Sequence, residues 1–159
     1  MEKSELRVYI SGAFTGLDDL YQTLMFYDDL ANELVSHGFI VYKPHEHTGP
    51  LLSEHHSCIT IYNKDLKEIS NSDALICILD EPSHGVGIEI HHAMTEGKDI
   101  LGFFRSKRGI SRLAIGLLKD YEKGYCAEYT CVDEIGLLCK KILLAGITEA
   151  PLHLLPHNK

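Results

Sequence analysis

The stretch Asp73-Ala-Leu-Ile-Cys-Ile-Leu-Asp80-Glu-Pro-Ser83-His-Gly85-Val-Gly87-Ile-Glu89-Ile-His-His-Ala-Met94 decides the fold. Its first half, Ala74 to Leu79, is apolar without alternation, the pattern of a strand covered on both faces and hence central in a parallel sheet. A turn follows from Asp80 to Gly85, and then a helix over Val86 to Glu96 with Val86, Ile90, Ala93 and Met94 apolar. Strand, turn and helix in that order are most of a βαβ unit.

The same alternation continues in both directions. Upstream, Arg7 to Ser11 reads as a strand, Gly12 to Gly16 as a turn, and Asp18 to His37 as a helix with Leu20, Leu24, Tyr27, Leu30, Ala31 and Leu34 on one face. Gly38 stops that helix and Phe39 to Tyr42 is a second strand. Lys43 to Cys58 holds three Gly or Pro residues and four histidines without a period, so it is expected to be a long functional loop. Ile59 to Ile69 is a helix. Downstream come a strand at Ile100 to Phe104, a basic loop at Arg105 to Gly109, a helix at Ile110 to Lys119, a short strand at Glu128 to Cys131 and a helix at Val132 to Leu144. The reading is one domain over residues 1–146 and a tail, 147–159, that is frayed or covers a neighbour.

These units predict a three-layer α/β/α domain on a five-stranded parallel sheet, flavodoxin-like (Rossmann-like). Its ligand site is expected at the carboxyl ends of the strands, where the turns Gly12 to Gly16, Asp80 to Gly85 and Arg105 to Gly109 lie. At 159 residues the chain has room for one core at roughly 150 residues per domain. Its 45% hydrophobic and 24% charged composition is that of a folded globular protein, and argues against disorder. The net charge of −8 makes a polyanionic nucleic acid or an anionic membrane a poor partner for the surface as a whole, and neither is expected. No apolar run reaches the ~18 residues of a membrane span and Met1 to Arg7 lacks signal-peptide order, so a cytoplasmic location is expected. Five cysteines without a CxxC indicate reduced, mostly buried thiols.

Locally the charge inverts, since Arg105 to Arg112 carries four basic residues and no acid, which suits an anionic small ligand or simply a solvated loop. Ser83, Gly85 and Gly87 open a helix, and the free N–H groups there suit a phosphate or carboxylate. The spacing is neither GxGxxG nor a P-loop. Glu89 in the early part of that helix reads first as a complement to its dipole. Ten histidines invite a metal, but neighbours such as His91 and His92 diverge by about 100° on a helix and no HExxH occurs, so neither metal nor cofactor is expected. Ser83-His84 lacks the GxSxG elbow of a serine nucleophile.

Tyr9-Ile-Ser-Gly12, Asn63-Lys-Asp65, Asp73 to Leu79 and Pro82 to Glu89, in that order and spacing, resemble the nucleoside 2-deoxyribosyltransferase superfamily, most closely its 2'-deoxynucleoside 5'-phosphate N-hydrolase branch. The resemblance spans Arg7 to Leu144. It implies that Glu89 is a nucleophile at the anomeric carbon, that Tyr9 orients its carboxylate and crowds the 2' position, and that Asp65 protonates the departing base. It implies a phosphate contact at Ser83, where the transferases carry an aspartate for a free 5'-hydroxyl, together with Gly12, Gly85 and Gly87. Ser111 is implied to reach across a homodimer, with Arg108 and Arg112 adding charge. Ala13 and Thr15 stand where the hydrolases carry a serine and an arginine. The expectation is therefore hydrolysis of a nucleoside 5'-monophosphate, with transfer of the sugar to a second base as the runner-up and a non-catalytic nucleotide sensor as the third reading.

Overall fold

β3 (Ala74–Ile78) is buried along its whole length and pairs in parallel with β1 (Arg7–Ser11) on one side and β4 (Asp99–Phe104) on the other. The chain is described here by a computed structural model at residues 5–15, 17–52, 56–105 and 109–146. β2 (Ile40–Tyr42) extends the sheet beyond β1, and β5 (Gly124–Glu128) extends it beyond β4, so the five parallel strands run in the order β2-β1-β3-β4-β5. That is the flavodoxin-like order, and its switch point falls between β1 and β3.

Strand alternation sorts the side chains into two cores. Val8 and Ile10 of β1, with Ile76 and Ile78 of β3, pack beneath α1 (Leu20–Ser36) and α5 (Val132–Cys139), which a π-helical turn over Lys140–Leu144 prolongs. Tyr9 of β1, with Leu75 and Cys77 of β3, faces α2 (Cys58–Ser70), α3 (His84–Thr95) and α4 (Arg112–Asp120). Ser11 follows Tyr9 by two residues on the strand and so projects toward the second face, where it meets α3. No helix among the described residues is long and apolar enough to cross a membrane.

Two expectations need correction. The last strand lies at Gly124–Glu128 and not at Glu128 to Cys131. Tyr129 follows it with a buried ring, its N–H still donating to the Phe104 carbonyl of β4 at 3.0 Å and its hydroxyl donating to Asp80 Oδ2 at 2.5 Å, and Cys131 is already the N-cap position of α5. The segment after β2 is also less irregular than expected, for Pro44–Glu46 forms a 3₁₀ turn. Helix ends otherwise shift by a few residues, as α1 shows, beginning after an Asp19 N-cap. Arg108 and the tail from 147 on fall outside the described residues.

The turn after β1 is sterically committed. A Cβ at Gly12 would collide with the Tyr27 hydroxyl and lie 2.6 Å from the ring carbon Cε1, while that hydroxyl donates to the Ala13 carbonyl at 3.1 Å. Gly12→Ala is therefore expected to cost about 1–3 kcal/mol of unfolding free energy in urea. A loss below about 0.5 kcal/mol would show that the Tyr27 ring simply moves aside.

Candidate active site

Two helix faces and one strand face converge at the carboxyl ends of β1 and β3. On α2, Cys58, Ile61, Tyr62, Asp65 and Leu66 recur at the i, i+3, i+4, i+7 and i+8 positions of one face, and on α3 Gly85, Ile88 and Glu89 do the same. Between them lies a cleft of about 270 Å³ whose walls are mostly apolar and whose ionisable groups include Asp65 and Glu89. The helices are tied further along by Ser70 Oγ and His92 Nε2, 3.0 Å apart.

The Glu89 carboxylate is held from below by β1. The Tyr9 hydroxyl donates to Oε1 at 2.8 Å and the Ser11 hydroxyl donates to Oε2. Burial opposes the charge and wins, lifting the Glu89 pKa to about 7 despite both donors, and the Asp65 carboxylate adds to the rise. Tyr9 itself is fully buried, and burial together with the Glu89 carboxylate drives its phenol far up, so it stays a donor. Asp65 is also raised by burial, against a donation from Thr48 Oγ1 to Oδ1 at 2.7 Å.

The sequence-derived residues separate into three groups. Tyr9, Asp65, Gly85 and Glu89 come together around the cleft. Ser83 is the N-cap of α3, where its oxygen accepts from the Val86 N–H at 3.4 Å and its own proton remains available to a ligand. Gly87 is exposed on α3, and Gly12 makes room for Tyr27. Ser111, the exposed N-cap of α4, and the neighbouring exposed Arg112 do not line this cleft. Leu113 beside them is 85% exposed, an apolar side chain of α4 left uncovered. Sequence reading missed Ser11 and Thr48. For Ser11 a signal existed, the two-residue repeat from Tyr9 along a buried strand. For Thr48 there was none, because it sits in an aperiodic loop.

A larger cavity of about 530 Å³ opens on the α1 side, and its charge argues against an anionic occupant. Asp18, Asp19, Asp80 and Glu81 line it with Arg105, whose guanidinium stacks over Phe26 and Tyr129 at 5.0 and 5.2 Å and lies 3.9 Å from Asp80 Oδ2. Asp28, His45 and Glu46 also approach one another, the one such group of metal-ligand type among the described residues. The Lys43 ammonium bonds both carboxylates, at 2.8 and 2.5 Å, and serves them as a cation would.

A flavodoxin-like sheet with a paired-carboxylate cleft at its switch point defines a class of α/β small-molecule proteins. Within that class the chain belongs to the nucleoside 2-deoxyribosyltransferase family, whose model matches residues 8–138. It is 30% identical over 102 residues to "Putative 2'-deoxynucleoside 5'-phosphate N-hydrolase 1" of Trichoplax adhaerens, covering 64% of this chain and 68% of that protein. To the protein of the same name from Nematostella vectensis it is 27% identical over 124 residues, covering 74% and 79%. Among solved structures it shares its fold with the CMP N-glycosidase BcmB of Clostridium botulinum, at a TM-score of 0.63 and 22% identity over 84% of this chain and 97% of that one. The 2-deoxyribosyltransferase of Bacillus psychrosaccharolyticus has the same fold, with a TM-score of 0.59 and 17% identity over 82% and 90%.

The raised pKa of Glu89 has a cost in stability. Below its unfolded value of 4.5 both states hold the proton, between 4.5 and about 7 only the folded state does, and above about 7 the buried charge penalises folding in full. That penalty is on the order of 3 kcal/mol. Glu89→Gln is expected to raise the melting temperature at pH 8 and to leave it unchanged at pH 4. An equal effect at both pH values would show that the Glu89 charge is not the cause.

Proposed function

We propose that this protein hydrolyses the N-glycosidic bond of a nucleoside 5'-monophosphate through a covalent glycosyl-Glu89 intermediate. The observation that carries the reading is the Glu89 carboxylate itself, gripped on both oxygens by Tyr9 and Ser11 in an apolar cleft that it shares with Asp65. A side chain placed only to complement a helix dipole would face water, whereas this one is desolvated and aimed.

In the first step a Glu89 oxygen forms a bond to C1' as the C1'–N bond breaks, and the leaving nitrogen takes its electron pair and a proton from Asp65. In the second, Asp65 takes a proton from water, the water oxygen bonds C1', and the ester to Glu89 breaks. Water is consumed, and a free base and a sugar phosphate are released. Burial favours the neutral acid at Asp65, which suits its first task.

The 5'-phosphate is assigned to the α3 side. Ser83 presents a hydroxyl at a helix N-terminus, where a carboxylate would repel the phosphate. Ser111 and Arg112 lie at the start of α4, outside the cleft, so their contribution requires a second copy of the chain, and the working form is a homodimer. The two relatives named as 5'-phosphate N-hydrolases support this substrate class.

Assaying nucleosides and their monophosphates, with and without a second free base, tests the reading. Monophosphates should be cleaved in water at least ~10²-fold faster than nucleosides, on two or three charge-assisted hydrogen bonds. Glu89→Ala should lose ~10²-fold or more, and Ser83→Asp should shift the preference toward nucleosides. Turnover of nucleosides only when a second base is supplied would replace hydrolysis with transfer.

A further inference from the structure

Lys43 to Gly49, the start of the histidine-rich segment after β2, forms a built strap and not a slack loop. Lys43 Nζ and His45 Nε2 both bond Asp28 Oδ1 on α1, at 2.8 and 3.1 Å, and the His47 ring stacks on Tyr42 at 4.8 Å. The Thr48 N–H donates to the Pro44 carbonyl at 2.7 Å, closing the turn. Gly49 permits that closure, since a Cβ there would strike the His45 carbonyl and lie 2.6 Å from His45 Cα. The product of this anchoring is one side chain, Thr48, only 6% exposed and aimed at α2.

We propose that Thr48 is the positioning residue of the leaving-group acid, fixing which oxygen of Asp65 carries the proton. This rests on the reading of Asp65 as that acid. Thr48 has a single hydroxyl proton and two acceptors in range, Asp65 Oδ1 at 2.7 Å and Pro44 O at 3.1 Å. The Pro44 carbonyl is already served by the Thr48 N–H, so the hydroxyl proton goes to the shorter contact. With Oδ1 accepting, a proton on Asp65 is directed to Oδ2. As that proton leaves for the base nitrogen, Asp65 becomes a carboxylate and the Thr48 bond strengthens from neutral to charge-assisted, so the contact stabilises the transition state more than the ground state. No proton passes through Thr48.

Other groups act on the same carboxyl. Lys64 and Glu68 flank it on α2, His47 faces it from the strap, Glu89 from α3, and Tyr9 and Tyr42 from β1 and β2. Among the described residues none of these hydrogen-bonds Asp65, whereas Thr48 does, and its donation opposes the burial that raises this acid. Its removal should therefore hold the proton on Asp65 more tightly and move the alkaline limb of the rate profile to higher pH.

The test compares Thr48→Val, Thr48→Ala, Thr48→Ser and Asp65→Asn on monophosphates with natural bases and on the 4-nitrophenyl glycoside of the same sugar phosphate, whose leaving group needs no proton. Thr48→Val and Thr48→Ala should lower kcat for natural bases by on the order of tenfold with KM within twofold, spare the nitrophenyl substrate, and raise the alkaline limb. Thr48→Ser should restore kcat. Equal slowing of both substrates, or no rescue by serine, would overturn the proposal and make Thr48 a packing residue. If Asp65→Asn itself slows both substrates equally, the acid reading fails. If Asp65→Asn is selective and the Thr48 variants are not, only the Thr48 proposal fails.

Discussion

A carboxylate hydrogen-bonded on both oxygens by one strand, beneath the helix that carries it, is the constraint on which the rest of the structure depends. Glu89 belongs to α3, and its two donors, Tyr9 and Ser11, belong to β1. Those contacts require β1 to lie beside β3, the strand that leads into α3, and they require the Tyr9 face of β1 to turn toward α2 and α3. A one-residue slip of β1 would present Val8 and Ile10 to the carboxylate and leave it buried without a partner. The parallel register that packs the core is thus the register that arms the site.

Desolvation sets the chemistry and also its cost. Burial in a cleft walled by Ile61, Leu66 and Ile88 pushes both Glu89 and Asp65 upward. Hydroxyl donors from elements outside the two helices, Ser11 and Tyr9 for Glu89 and Thr48 for Asp65, pull the other way. Burial thus favours the neutral acid at Asp65, and at Glu89 it opposes the ionised form that the two hydroxyl donors favour. Charge also distinguishes the two cavities at this edge of the sheet. The larger one, with four carboxylates around an already engaged Arg105, suits no phosphate. The smaller one adjoins the helix N-terminus at Ser83.

Where a pattern was periodic, the sequence disclosed it. Arg7 to Ser11 emerged with its exact ends, and Ala74 to Leu79 was legible as the central strand because nothing polar interrupts it. Asp65 and Glu89 were legible only together with the order of the motifs around them, since either alone reads as a surface acid. β5 was misplaced because Gly124-Tyr-Cys-Ala-Glu128 is a half-exposed edge strand, paired on one side only, and shows no strong alternation. Tyr129-Thr-Cys131 has the stronger strand composition, but its pairing with β4 ends at the Tyr129 N–H and Cys131 already stands at the N-cap of α5. Thr48 was invisible because its place is fixed by Lys43, His45 and His47 reaching α1 and β2, contacts with no local sequence signature.

The central claim, that Glu89 becomes bonded to the sugar, is tested most directly by stereochemistry and mass together. A slow 2'-fluorinated monophosphate, quenched during turnover and digested, should yield the peptide bearing Glu89 with the mass of one sugar phosphate added, and solvolysis of the natural substrate in methanol–water should give a methyl glycoside of retained configuration. Inverted product with no adduct on that peptide would show that water attacks the sugar directly and that Glu89 is not the nucleophile.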